Sequence, residues 1–461
     1  MKQAKRWLAQ NHQSLINDLA SLIAIPSIST NGLHQSEIDS SAKLVCDLMR
    51  KAGLEDVQIL RTGNSNPFCY GAWNHAPGKP TLLLYAHHDV QPEGPEADWL
   101  SPPWQLTRRK GRLFGRGTAD DKGAIIAHLG AIAAFLKTQK SLPVNVKVLI
   151  EGEEEIGSRH LLPFFNEYQD LIRSDVIVVC DTENVSAGLP SITYSLRGVV
   201  GAIVEVQTAT SPRHSGFAGG FLADAVLALN VILSRLYWKN GRLPVPGIER
   251  GVIPMTAEER RWLKALPADE ATWRKEFGVL EGVQFANQAH PYEQTWRKPA
   301  VTVNAFEASS MAHRSNQVLN KAVASVSCRI APGQKQESVF QALQKFLTKN
   351  PPWGVHVTVK KSGGIDPWMT NPKGPAFEAA RAAAESGFGR APVLVGSGGS
   401  IGFVGPLAKL LGGAPALLLG IEDPLSKAHA PNESLHEGDL KKLTATLAHL
   451  MDNLGELKAV K

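Results

Sequence analysis

Side chains that commonly bind divalent metals recur along this sequence, in most cases just after an apolar segment. They are His87, Asp89, Asp120, Asp121, Glu154, Glu155, Asp181 and His429. Imidazole nitrogens and carboxylate oxygens are ordinary metal ligands, and a carboxylate can also act as a general base. The set can hold two divalent cations and leave one carboxylate free for proton transfer. These residues therefore predict a metal-dependent hydrolase.

The first of these motifs is His87-His88-Asp89. In an extended chain, residues two apart point to the same side, so His87 and Asp89 can face one site while His88 points away. A metal-binding imidazole usually donates its other N–H to a carboxylate or carbonyl, and Asp89 could accept it. Taken alone, the motif could also be a histidine at a strand end followed by a turn aspartate.

Residues 151–155 place four carboxylates in five positions. Such crowding is costly without a counter-charge, and two nearby cations would provide one. One glutamate would then bind metal while its neighbour removes a proton from water. A solvated acidic loop is the alternative. Asp120 and Asp121 lie in a glycine-containing turn before a predicted helix, where an acidic residue also serves as a helix cap.

The elements that must position these residues alternate between strand and helix. We predict helices at 13–25, 40–52, 123–137 and 376–385, and strands at 81–86, 144–150, 175–180 and 414–419. Continuous apolar strands separated by helices indicate a mainly parallel sheet that is buried on both faces. Ligands of such sheets bind beyond the carboxyl ends of the strands, where His87, Glu154, Asp181 and His429 follow.

A second region begins near residue 197. Its predicted elements are strand 199–207, helix 223–237, strands 301–306 and 322–330, helix 336–349 and strand 355–361. The order β-α-β-β-α-β is that of a ferredoxin-like sandwich. We therefore expect an α/β domain formed by residues 1–196 and 366–461, with an inserted α+β domain at 197–365. Residues 239–299 are rich in Trp, Pro and charges and form an extra insertion in that domain.

Composition excludes several other classes of protein. The 461 residues are 43% hydrophobic and 20% charged, which indicates a folded chain with a large core. The net charge is +6, but the densest basic cluster, at residues 108–112, has no interleaved aromatic residues, so nucleic-acid binding is disfavoured. The four cysteines form no C-x-x-C pair. The sequence also shows neither an apolar signal segment nor a membrane span, and we expect a cytoplasmic protein.

At these motifs the sequence resembles the M20 family of metallopeptidases, and within it the branch of cytosolic non-specific dipeptidases and carnosinases. The segments that carry the resemblance are 86–90, 115–123, 151–158, 180–181 and 429–433. The order of the two domains also fits the family. The sequence departs from the family pattern at Ala86, Glu153 and Ile156, which bears on substrate preference more than on the reaction.

The resemblance implies a role for each candidate residue. Asp120 would bridge two metals, His87 and Asp181 would complete one site, and Glu155 and His429 the other. Glu154 would be the general base, and Asp89 would support His87. The inserted domain would act as a lid and a dimerisation domain.

The resemblance also implies four residues that contact the substrate. His214 would reach the active site of the partner subunit and stabilise the oxyanion, and Arg329 would bind the terminal carboxylate of the substrate. Asn316 and Ser400 would make further polar contacts. From the residues alone, each of the four could equally be a solvated surface group. Residues 396–400 lack the lysine that follows in a phosphate-binding loop, which disfavours nucleotide binding.

The reaction expected is the hydrolysis of dipeptides, or of short peptides with a free C-terminal carboxylate, by water activated at two divalent cations. Mixed imidazole and carboxylate ligands suit Zn²⁺, with Mn²⁺ or Co²⁺ as substitutes. An alternative is a deacylase or desuccinylase that acts on N-acyl amino acids with the same fold. A non-enzymatic alternative is an inactive relative that binds metal or peptide. The presence of every expected ligand and of the base disfavours this last alternative.

Overall fold

The computed structural model describes residues 1–239, 241–266, 269–287 and 289–457. Positions 240, 267, 268 and 288 of the predicted insertion, and positions 458–461 of the predicted catalytic domain, lie outside the described residues. The chain divides into two compact units. Unit 1 contains Met1–Tyr194, Thr370–Val395 and Phe403–Lys461, and unit 2 contains Ser195–Met369 and Gly396–Gly402.

The N-terminal part of unit 1 alternates between helices and strands. Its helices are α1 (Lys2–Ile23), α2 (Gln35–Ala52), α3 (Lys122–Gln139), α4 (Leu161–Glu167) and α5 (Gln169–Ile172). Its strands are β1 (Glu55–Leu60), β2 (Phe68–Trp73), β3 (Thr81–His87), β4 (Thr107–Arg109), β5 (Arg112–Phe114), β6 (Asn145–Glu151), β7 (Val176–Glu183) and β8 (Ser191–Leu196). The strands and helices predicted for this part from apolar patterns are present. The structure adds elements that were not predicted, namely α4, α5, β1, β2, β4, β5 and β8.

Unit 2 then follows in the chain. Its helices are α6 (Ser215–Ala218), α7 (Ala225–Ser234), α8 (Ala257–Lys264), α9 (Glu270–Glu276), α10 (Pro291–Arg297) and α11 (Gln336–Thr348). Its strands are β9 (Gly198–Gln207), β10 (Arg213–His214), β11 (Ala300–Glu307), β12 (Gln317–Val318), β13 (Lys321–Ile330), β14 (His356–Ile365) and β15 (Trp368–Met369). The chain ends with α12 (Pro375–Phe388), β16 (Val393–Ser397), α13 (Val404–Leu410), β17 (Ala416–Glu422), β18 (Ser434–His436) and α14 (Glu437–Gly455).

The main sheet of unit 1 has the strand order β1-β2-β6-β3-β7-β17-β8. The four central strands β6, β3, β7 and β17 are parallel, and antiparallel strands lie on both sides of them. Buried Val, Leu and Ile residues fill the central strands, as expected for strands covered on both faces. This arrangement confirms the predicted α/β class with a mainly parallel central sheet.

Helix α3 is the most buried helix of unit 1. Apolar residues surround it on all sides, because it lies against β3 and is covered by α1, α2 and α14. Its first turn therefore has a fixed position, and the residues just before it, Asp120 and Asp121, are held at the carboxyl ends of the parallel strands.

Unit 2 contains a four-stranded antiparallel sheet with the order β11-β13-β9-β14. Helices α7 and α11 pack on one face of this sheet and form an apolar core with it. The order β9-α7-β11-β13-α11-β14 is the predicted β-α-β-β-α-β arrangement, with α8, α9 and α10 within the predicted insertion. No helix among the described residues is both long and apolar enough to span a bilayer.

Candidate metal centre

His87, Asp120 and Asp181 meet at the carboxyl ends of two neighbouring strands. His87 is the last residue of β3, and Asp181 lies in β7, which pairs with β3 in parallel. Asp120 reaches the same place from the turn before α3. One ligand atom from each of the three residues lies within 4.8 Å of the others, and His87 Nε2 is 2.9 Å from Asp120 Oδ1. This group of atoms has the composition of a cation site.

A second group consists of Asp120, Glu155 and His429. His429 Nε2 lies 2.9 Å from Asp120 Oδ2 and 3.2 Å from Glu155 Oε2. Glu155 follows β6 in a short helical turn, Glu154–Ile156, and His429 lies in the loop after β17. The imidazole of His429 is 56% exposed, whereas His87 is buried, so the two groups differ in their access to solvent.

Asp120 belongs to both groups and offers a different oxygen to each. Oδ1 faces His87 and Oδ2 faces His429. Hydrogen bonds from the two imidazoles lower the pKa of this carboxylate, although its burial opposes the effect. An ionised carboxylate with one oxygen toward each group is the arrangement required to bridge two cations.

The electrostatics of the site fit the addition of positive charge. Burial and then the negative charge of Asp121 raise the pKa of Asp181 well above its usual value. Burial raises the pKa of Glu154 to about 7, with the charges of Asp120 and Glu155 as further causes. Several buried carboxylates thus lie close together with too little positive charge, and two divalent cations would neutralise them.

Asp120 is held in place by Glu433. The carboxylate of Glu433 accepts hydrogen bonds from the backbone N–H groups of Gly117, Ala119 and Asp120. The N–O distances are 3.0, 2.9 and 3.2 Å. Glu433 also forms a buried ion pair with Arg116, at 2.7 Å. The turn before α3 therefore has its shape fixed by a side chain from the far end of the sequence. Glu433 and Arg116 lie within motifs noted in the sequence, but we did not predict that Glu433 supports the turn before α3. Residues so far apart along the chain show no local pattern that would indicate their hydrogen bond.

Asp89 connects His87 with the segment that carries Glu154 and Glu155. His87 Nδ1 lies 3.0 Å from the backbone oxygen of Asp89 and 3.5 Å from its carboxylate, so the closer contact is with the backbone. The carboxylate accepts the backbone N–H of Glu154 at 3.2 Å and of Glu155 at 3.1 Å. It also accepts the hydroxyl of Ser29, at 2.6 Å.

Two other residues near the site have separate structural roles. His88 is buried away from both groups with Nε2 3.3 Å from the Pro67 oxygen, and burial lowers its pKa to about 4. Glu153 pairs with His160 at 2.9 Å and accepts the backbone N–H of Asn66 at 2.8 Å. The Glu153 carboxylate therefore has its hydrogen-bond partners outside the two groups.

The four predicted substrate residues all belong to unit 2, whereas the residues of the two groups belong to unit 1. His214 in β10 pairs with Gln317 in β12, and the backbone oxygen of Asn316 accepts the N–H of Ser215. His214 and Asn316 are exposed neighbours. Arg329, at the end of β13, donates from Nη1 to Ser400 Oγ at 2.8 Å. The structure thus brings these four residues together as two pairs.

Comparison with known proteins identifies the family. The family model described as "Peptidase family M20/M25/M40" matches residues 83–453. The chain is 30% identical over 453 residues to a cysteinylglycine-S-conjugate dipeptidase of Corynebacterium striatum, with 97% of both chains covered.

Solved structures support the same assignment. Human carnosine dipeptidase 1 has a TM-score of 0.84 at 25% identity and covers 99% of each chain. An M20 family metallo-carboxypeptidase from Sulfolobus solfataricus has a TM-score of 0.84 at 28% identity, covering 96% of this chain and 99% of that one. The predicted family and the expectation of a peptidase enzyme are confirmed. This chain belongs to peptidase family M20/M25/M40.

Proposed function

We propose that this enzyme is a metallodipeptidase that hydrolyses peptides with a free C-terminal carboxylate, using two divalent cations. The observation that carries the proposal is the position of Asp120, whose two oxygens face His87 and His429 separately. Dipeptidases among its relatives support the substrate class. No relative reported above is a deacylase of N-acyl amino acids, so that alternative is not favoured.

In this proposal, His87, Asp120 and Asp181 hold one cation, and Asp120, Glu155 and His429 hold the other. When bound, the cations polarise the scissile carbonyl and make a water molecule more acidic. Nitrogen and carboxylate donors together suit Zn²⁺, and Mn²⁺ or Co²⁺ are possible substitutes.

Glu154 is the proposed general base. Its carboxylate is outside both ligand groups, although it adjoins Glu155, and burial raises its pKa to about 7. A carboxylate with a pKa near neutrality can take a proton from water at neutral pH and release it to the leaving amine. Asp89 orients the base, because it accepts the N–H of Glu154.

Unit 2 is the proposed lid and dimerisation domain. Arg329 would bind the C-terminal carboxylate, since its planar guanidinium matches the two carboxylate oxygens. His214 would stabilise the oxyanion in a homodimer, a contribution of about 3 kcal/mol for one such donor. Asn316 and Ser400 would complete the contacts. We further propose the cytoplasm as the compartment, because Cys46, Cys69, Cys180 and Cys328 are all free thiols.

The test uses protein stripped of metal by a chelator and reloaded with one metal at a time. We expect hydrolysis of free dipeptides and slower hydrolysis of carboxyl-amidated, N-acetyl and N-succinyl substrates. Glu154→Gln should retain bound metal but lose at least a thousandfold in kcat, the order of magnitude of general-base catalysis. Glu96→Gln makes the same change at an exposed carboxylate and should be active. Near-normal turnover by Glu154→Gln would contradict the base, and faster cleavage of N-acyl substrates would favour a deacylase.

A further inference from the structure

Two arginines of unit 2, Arg197 and Arg329, lie on the same face of its sheet. Arg329 in β13 pairs with Val199 in β9, and Arg197 comes two positions before Val199. Cross-strand partners share a face, as do residues two apart along a strand. Both guanidinium groups therefore leave the sheet on the side opposite the core, into which Cys328 and Ile330 point.

The segment 396–400 contacts both arginines. The backbone N–H of Arg197 donates to the Ser397 oxygen at 3.1 Å, and Arg329 Nη1 donates to Ser400 Oγ at 2.8 Å. A Cβ on Gly398 would lie only 3.0 Å from Arg197 Nη2. The absence of a side chain at Gly398 therefore makes space for the guanidinium of Arg197. The same loop contacts both Arg197 and Arg329.

Neither guanidinium forms an ion pair with any carboxylate in the part of the chain that the structure describes. Arg197 is only 8% exposed, and its Nη1 donates to the Lys298 oxygen at 3.3 Å. Its Nε is buried with no hydrogen-bond partner among the described residues. Arg297 in the same unit is also buried, but it pairs with Glu259. In unit 2, Glu259 therefore neutralises the buried charge of Arg297, whereas no described carboxylate neutralises that of Arg197.

Retaining this uncompensated charge opposes folding. Burial and then the positive charge of Arg329 lower the pKa of Arg197 to about 10, so Arg197 is still a cation at neutral pH. A buried charge without a counter-ion is strongly unfavourable. Two such cations on one face would be neutralised by a ligand with two negative charges, and the guanidinium fork selects carboxylates.

We propose that Arg197 is a specificity-determining residue that binds a second carboxylate, on the side chain of the C-terminal residue of the substrate, beside the α-carboxylate at Arg329. The enzyme then prefers dipeptides that end in Glu or Asp. This inference rests on the proposed function, in which Arg329 binds the α-carboxylate.

The test compares Ala-Glu with the nearly isosteric Ala-Gln. The wild type should cleave Ala-Glu with a kcat/KM about tenfold or more above that for Ala-Gln, chiefly through KM, as one charged hydrogen bond would give. Arg197→Gln should bring the ratio close to one, because it should lower Ala-Glu cleavage far more than Ala-Gln cleavage. Arg197→Lys keeps the charge and should retain part of the preference.

Arg235→Gln is the matched control. Arg235 is another arginine of unit 2 that donates only to backbone oxygens, those of Lys349 and Asn350, and its loss should leave the ratio unchanged. Thermal unfolding monitors the stability of each variant. If Arg197→Gln does not fold, Gly398→Ala places a methyl group against Nη2 and should reduce the preference instead. Equal losses on both substrates in Arg197→Gln would indicate a purely structural role and overturn the inference.

Binding of L-glutamate and L-glutamine, measured by calorimetry, gives the same comparison without turnover. The wild type should bind glutamate more tightly, and Arg197→Gln should bind the two alike. Tight glutamate binding without cleavage of any dipeptide would refute the proposed function and leave the dicarboxylate site standing. Dipeptide cleavage with no preference for an acidic C-terminal residue would refute the inference alone.

Discussion

The carboxylate of Asp89 accepts the backbone N–H of Glu155 at 3.1 Å. Through this bond, and the equivalent bond to Glu154, the residue that contacts His87 also fixes the position of the proposed base. Asp89 therefore connects His87 of the first group with Glu155 of the second. Its substitution should disturb both groups at once.

Asp89→Asn is expected to lower metal affinity by about 10- to 100-fold and to reduce kcat more than it raises KM. The amide keeps one acceptor oxygen but turns an NH₂ group toward a backbone N–H donor. Metal titration and steady-state kinetics would measure the two effects. Ser29→Ala removes one hydrogen bond to the same carboxylate but keeps its charge and its other acceptor contacts, and should have the smaller effect. A kcat close to that of the wild type in Asp89→Asn would contradict this role.

Substitution of Asp120 should release more bound metal ions than substitution of His429. Because Asp120 contributes to both groups, Asp120→Ala should lose both tightly bound ions, whereas His429→Ala should keep the ion at His87, Asp120 and Asp181. Mass spectrometry of the metal content after dialysis would give the two stoichiometries. Loss of only one ion in Asp120→Ala would show that this carboxylate does not bridge.

Glu433→Ala is expected to destabilise the fold by about 3–5 kcal/mol, because it leaves the buried cation of Arg116 without its partner. It also removes the acceptor for three backbone N–H groups around Asp120. Denaturant unfolding would measure the free energy of unfolding. Removing Glu437 from its surface pair with Arg108 is the control and should cost less than about 1 kcal/mol. Equal effects of the two substitutions would contradict the importance of the buried pair.

His128 should make the fold sensitive to acid. Burial lowers its pKa from 6.5 to about 4, and its Nε2 lies 3.1 Å from the Tyr85 oxygen. Between these pH values the unfolded state binds the proton more readily, so the stability due to neutral His128 is complete above pH 6.5 and declines as the pH falls toward 4. The loss amounts to about 3 kcal/mol at most.

The measurement compares the free energy of unfolding of wild type and His128→Gln from pH 7.5 to 4. The variant keeps a donor for the Tyr85 oxygen and should lose less stability over this range. His75→Gln, at an exposed histidine, should follow the wild type. Parallel curves for wild type and His128→Gln would contradict the assignment.

The sequence predicted the elements whose patterns are local. The apolar runs ending at His87 and near Asp181 are strands with nearly the predicted limits, because buried parallel strands require continuous apolar residues. Strand β1 was not predicted, because its side chains are mostly exposed and carry no apolar run. Helix α1 begins at Lys2, earlier than predicted, since only part of its length carries the apolar stripe.

The residues that the structure brings together in the two groups could be named from the sequence, because each imidazole or carboxylate follows a recognisable element. The contacts that support them could not be named in this way. Glu433 lies far from Asp120 in sequence. Arg197 resembles any other arginine until the structure shows no acidic partner for it among the residues that it describes. Sequence patterns report which residues are buried, whereas compensation of a buried charge depends on distances between remote segments.

The residues of the two groups that we propose as metal ligands lie on both sides of unit 2 in the chain. His87, Asp120 and Asp181 all precede unit 2, but His429 follows it. A ribosome therefore releases every ligand of the first group before unit 2 is made, and completes the second group only after unit 2 has emerged. In the proposed function, catalytic competence therefore begins only once His429 has been added.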